Sequence, residues 1–121
     1  MESILNSIKQ LLGIPAEHTT FDPDIIMNIN TVFLTLNQIG VGTESVFAIS
    51  SNTETWSDFL GEQETELNAV KSYIYLKVRM IFDPPQSSAV MEAIKANIAE
   101  LEWRLNSQVD VGKEKQWPTD M

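Results

Sequence analysis

A chain of 121 residues, 43% of them apolar and 21% charged, is long enough for one modest core and too apolar to stay disordered. It has no cysteine, which removes disulfides and thiolate metal sites, and its one histidine, His18, would leave a zinc site to carboxylates, an uncommon donor set. The net charge of −9 sits in residues 1–70, where ten acids face Lys9 alone, while residues 71–121 hold seven acids and seven bases; an acidic half argues against ordinary nucleic-acid binding, which needs Lys and Arg on phosphates.

Ser3 to Leu12 place Ile4, Leu5, Ile8, Leu11 and Leu12 at helical spacing, and Gly13 and Pro15 end the pattern. A short loop, 16–21, leads to FDPDIIMNINTVFLTLNQIG, with Asp22 as the expected N-cap and Pro23 at the first helical position, where its missing N–H costs nothing. Ile25, Ile29, Val32, Phe33, Leu36 and Ile39 form its apolar stripe, and Gly40 supplies the stop. Residues 41–54 break the period; Val46, Phe47 and Ile49 suit a short strand or extended loop too brief to anchor a sheet. Thr55-Trp56-Ser57-Asp58 has capping-box spacing, so Trp56, Phe59 and Leu60 should dock one helical turn before Gly61.

Glu62, Glu64 and Glu66 suit the positive end of the next helix. Its expected stripe is Leu67, Val70, Ile74, Val78 and Ile81, widened by Tyr73, Leu76, Met80 and Phe82, so this is the central helix or one covered by a second subunit. Asp83-Pro84-Pro85 must end it, because neither proline has an N–H and each disfavours helix in the residue before it. Ser87 or Ser88 can cap the partner helix, with Val90, Ile94, Ile98, Leu101 and Leu105 on one face and Met91, Ala99 and Trp103 beside it. After Asn106 the apolar pattern ends. The reading is all-α: a bundle of about four to five helices over 1–106, a short extended loop at 41–54, and a loose tail or docking arm at 107–121, with Val109, Val111, Trp117 and Pro118 as its hydrophobic anchors.

No arrangement of residues calls for bond-making chemistry. The acids lack the spacing of a calcium loop, and no Gly-rich turn follows a strand to cradle phosphate. No serine sits in a G-x-S-x-G context, and Glu100 and Glu102 point to different sides of one helix. No catalytic, cofactor or metal residue is therefore expected, and the chain reads as a non-enzyme. No apolar run reaches the roughly 20 residues of a bilayer span, and Met1-Glu2-Ser3-Ile4 lacks the basic start of a signal peptide. No membrane partner is expected.

The stretches FDPDIIMNINTVFLTLNQIGVG (21–42), TWSDFL (55–60), LNAVKSYIYLKVRMIFDPPQSSAV (67–90) and AELEWRLN (99–106) together resemble the small head–tail connector (adaptor) proteins of long-tailed bacteriophages and prophages. VKSYIYLKVRMIFDPP is their most specific part. The resemblance implies an all-helical subunit of the virion neck, made in the host cytoplasm, that forms a ring, commonly of twelve, below the capsid portal. Its implied partners are the portal protein, neighbouring copies, a downstream neck, stopper or tail protein, and double-stranded DNA passing through the lumen without sequence-specific binding. It also implies that residues 107–121 reach the portal and that loop 41–54 meets a neighbour or the lumen. Phe47, Ile49, Tyr75 and Met80 are the candidate subunit contacts. Two other readings are an acidic regulator or DNA mimic that inhibits a DNA-binding enzyme, and a weak hydrolase using His18.

Overall fold

The computed structural model describes residues 2–42, 46–61 and 67–115, the stretch from Gln108 onward by backbone alone. Five helices follow in order: α1 (Ile4–Leu12), α2 (Asp22–Ile39), α3 (Trp56–Leu60), α4 (Leu67–Phe82) and α5 (Ser88–Lys115). Among the described residues there is no strand, and the pairing of Ser3 with Thr55 is an isolated antiparallel bridge. The fold is all-α, as the apolar periods require.

Helix ends follow local chemistry. Ser3 caps α1 by accepting the Asn6 N–H at 3.2 Å. At the end of α2, Gly40 adopts φ 99°, and the Val41 N–H turns back to the Leu36 carbonyl at 2.9 Å, the 6→1 bond of a Schellman stop. Thr55 and Asp58 complete a capping box on α3: Thr55 Oγ1 accepts from the Asp58 N–H at 3.2 Å, and Asp58 Oδ2 accepts from the Thr55 N–H at 2.9 Å. Ser87 takes the Val90 N–H at 3.4 Å and opens α5 just beyond the two prolines.

Asp22 does not act as the expected cap. Phe21 occupies that position, with no side-chain cap bond. The Asp22 carboxylate turns instead to Lys9, 2.8 Å away. Lys9 is wholly buried, and its ammonium also donates to the carbonyls of Ala16 at 2.9 Å and His18 at 2.7 Å. Asp22 Oδ1 has no hydrogen-bond partner beyond this ion pair. One cation thus ties the α1–α2 loop down from beneath.

Helix α4 is the hub, packed by α2, α5 and α1. Only the face carrying Val70, Tyr73, Ile74 and Val78 is fully covered within the subunit; Tyr75, Leu76 and Met80 are half-buried. Val70, Tyr73, Ile74 and Val78 are buried, together with Ile25, Ile29, Val32, Phe33 and Leu36 of α2 and Ile94 and Leu105 of α5. Tyr73 donates to Glu102 Oε2 at 2.9 Å, a polar tie between α4 and α5. Ile81, expected in the stripe, is exposed; its neighbour Phe82 turns to the edge of Phe21, with ring centroids 5.4 Å apart. Val90 is exposed as well, in the first turn of α5 next to the proline break. The α5 backbone continues past Asn106 to Lys115, where the loss of apolar period predicts a loose tail. Extending an existing helix adds a hydrogen bond per residue without a new nucleation cost, so helix can outrun its apolar stripe.

The loop after α2 is laced rather than paired. Asn30 Oδ1 accepts the Ile49 N–H at 2.8 Å, and Asn30 Nδ2 donates to the Ile49 carbonyl at 2.9 Å, so one side chain takes the place of a neighbouring strand. Glu54 accepts the Ser50 N–H at 2.9 Å, the Ser50 hydroxyl at 3.0 Å and the Ser51 N–H at 3.3 Å. Partial burial pushes the Glu54 carboxyl up, but these donors outweigh it and hold it below the usual carboxylate range. Asn30→Ala strips both backbone groups of Ile49 of their partner. It is expected to cost about 1–3 kcal/mol in urea denaturation, since a buried polar group left unpaired loses its hydration without compensation.

Candidate assembly surfaces

Among the described residues, no group of three or more His, Asp or Glu side chains is placed to hold a metal ion. His18 is exposed in the α1–α2 loop, where its backbone carbonyl serves Lys9. The polar side chains that do meet serve to join helices. Trp56 Nε1 donates to Ser7 Oγ at 3.0 Å. The Ser7 hydroxyl oxygen lies 2.7 Å from Glu2 Oε1 and 2.6 Å from the Ser3 carbonyl oxygen, either of which can accept its proton. Lys71 reaches the same Glu2 carboxylate at 3.0 and 3.2 Å. The Ser7 hydrogen bond, then Lys71, holds the Glu2 carboxyl below the usual range. Burial, reinforced by Glu102, pushes the Tyr73 phenol well above its ordinary value, so it stays protonated as a donor.

The four candidate contact residues divide between the subunit's own core and its surface. Ile49 is buried in the core. Phe47 is half-buried, with ring centroids 5.3 Å from Phe33 and 5.2 Å from Phe59. Tyr75 is half-buried and accepts from Arg79 Nη1 at 3.3 Å; Met80 is half-buried too. They stand five positions apart, about 140° around α4, so they do not share one face. Val109 and Val111 lie on the helical backbone of α5, while Trp117 and Pro118 lie outside the described residues.

The structure leaves two other apolar surfaces open. A groove of about 460 Å³ runs between α2 and residues 46–48, walled by Ile26, Met27, Leu34, Val46 and Phe47. Met27 is 66% exposed, and Leu34 and Val46 are also open to solvent. On the other flank, Trp103 of α5 is 69% exposed beside a cleft of about 400 Å³ bounded by Ile39, Ile98, Lys95 and Glu102. Trp103 lies beside the packed stripe of α5 and projects away from the core. Sequence reasoning passed over Met27 and Leu34, although their i,i+7 spacing marks a second apolar line on α2, off the main stripe.

The described residues thus make a small all-α subunit with polar ties between its helices and two open clefts on its flanks. Over residues 4–112 the chain matches the family model for phage connector protein, and it belongs to that family. Neither a curated protein nor a solved structure matches it. It is thus a structural component of the phage head–tail connector that works against other head and tail components. Among the described residues, no helix is long and apolar enough to cross a membrane.

Proposed function

We propose that the subunit forms a ring, of about twelve copies by the resemblance to adaptor proteins, that sits below the portal, extends its DNA channel and offers a platform to the next neck or tail component. The observation that carries this reading is the family match over residues 4–112. The charge distribution supports it. DNA has to pass during packaging and ejection, and a wall poor in Lys and Arg offers its phosphates nothing to hold. Residues 107–121 act as the portal-docking arm, with Val109, Val111, Trp117 and Pro118 as anchors.

Pull-down of the purified chain by its portal protein tests the assignment. Trp117→Ala is expected to weaken capture roughly tenfold or more, as truncation of a buried aromatic anchor does, with helical content unchanged by circular dichroism. Unchanged capture would remove the arm from the docking surface. Failure of the wild-type chain to bind portal at all would remove the neck position.

A further inference from the structure

We infer that α1 is a releasable strap, tied to the bundle by an ion pair at each end and free to open as a unit while α2, α4 and α5 stay packed. The distribution of ion pairs points to it. Among the described residues there are four, and Glu92–Lys95 and Glu100–Arg104 lie within α5 on exposed side chains. The two that join separate elements both serve α1. At its start, Lys71 of α4 reaches Glu2 at 3.0 Å; in its last turn, Lys9 reaches Asp22 of α2 at 2.8 Å. The other partners of Lys9, the Ala16 and His18 carbonyls, belong to the connection at 13–21 and can travel with α1, so Asp22 is the anchor.

What remains after release has its own core. Helix α4 packs directly on α2 and on α5, and Val32, Phe33 and Leu36 of α2 stay clustered with Val70, Ile74 and Val78 of α4 and Leu105 of α5. The share of α1 in that cluster is Ile4, Leu5 and Ile8. At nine residues α1 is too short to hold a helix alone in water, so a released α1 unfolds. Terminal elements of this kind open at less cost than global unfolding.

Glu2 makes the strap acid-sensitive. Its carboxylate lies 2.7 Å from Ser7 Oγ and takes the Lys71 ammonium, while the Trp56 indole donates to the same Ser7 oxygen at 3.0 Å. One carboxylate thereby joins α1, α3 and α4. The charged groups facing it are Lys71 and the α-amino group of the chain, and α3 reaches it only through Ser7. The Ser7 hydrogen bond, then Lys71, holds its titration below the ordinary 4.5. The stabilisation is therefore complete above the ordinary carboxylate value and is lost as pH falls through the lowered one.

Native-state hydrogen exchange on the full chain tests the strap. At neutral pH, residues 5–12 are expected to open about tenfold or more as often as residues 70–78 and 94–105. On acidification to about pH 3, with intrinsic rates corrected, the opening of α1 should rise about threefold more in wild type than in Glu2→Gln, the scale of a half-exposed ion pair; glutamine keeps an oxygen for Ser7 but has no charge to lose. A lock gives the converse. Ser3 and Thr55 face each other across the bridge as a non-hydrogen-bonded pair, flanked by Ile4 N–H on the Glu54 carbonyl at 3.0 Å and Trp56 N–H on the Glu2 carbonyl at 3.2 Å, a spacing a disulfide can span. The chain has no native cysteine, so Ser3→Cys/Thr55→Cys is compared with itself: oxidation should slow exchange in residues 5–12 about tenfold or more and leave residues 94–105 unchanged. Exchange of α1, α4 and α5 through one common opening in wild type would overturn the strap. So would an oxidised variant whose α1 opens as often as in the reduced form.

Discussion

Lys9→Met is expected to destabilise the subunit by about 3–5 kcal/mol, the range measured when one partner of a buried charge pair is removed. Methionine fills nearly the same volume, so the loss is electrostatic rather than a cavity. Three groups depend on this ammonium: the Ala16 and His18 carbonyls and the Asp22 carboxylate. The carbonyls belong to the loop that sets the entry angle of α2, so the damage reaches the α1–α2 packing. Urea denaturation should show the midpoint falling with little change in slope. Adding Asp22→Asn to Lys9→Met should recover part of the loss, because the half-shielded carboxylate no longer stands without a counter-charge. A cost below about 1 kcal/mol would mean that water replaces the ammonium at no great penalty.

Gly42→Ala is expected to cost about 2–5 kcal/mol, from two independent sources. Gly42 has φ 93°, where a side chain costs roughly 1–2 kcal/mol. A methyl there would run into Phe59 Cε1 and lie 2.8 Å from Cζ, and overpacking of this kind adds roughly 1–3 kcal/mol. The ring has little room to retreat. Phe59 is buried, with ring centroids 4.6 Å from Phe33 and 5.2 Å from Phe47. Phe59→Leu in the Gly42→Ala background should relieve the clash but not the backbone strain, so rescue is partial. Thermal unfolding followed by circular dichroism reads both changes; a Gly42→Ala midpoint equal to wild type would refute the close approach.

The helices were legible because their signals are local. The apolar periods of Ile4–Leu12 and Ile25–Leu36, the caps at Thr55 and Ser87, and the stop at Pro84-Pro85 all act within a few residues of the structure they determine. What stayed hidden depends on long-range partners. Lys9 looks like a solvated base until residues 16–22 fold over it. Asp22 has every local mark of a cap, and the buried cation outbids that role. The loop at 46–54 reads as a possible strand because of Val46, Phe47 and Ile49, yet its order comes from Asn30, nineteen residues away. Ile49 reads as a contact residue for the same reason and fills its own subunit's core. Trp103 sits among residues of the α5 stripe, and only the placement of α2 and α4 decides that the indole is left outside.

The lacing of α1 sets an order of events during synthesis. Ser3 bridges to Thr55, the Trp56 N–H reaches the Glu2 carbonyl at 3.2 Å, and the Trp56 indole reaches Ser7 across 49 positions. A nascent chain leaving the ribosome must therefore expose Ile4, Leu5 and Ile8 until its middle emerges, whereas α4 and α5 form a hairpin whose partners are close in sequence and meet quickly. The interval between those two moments is when host chaperones would have most to shield.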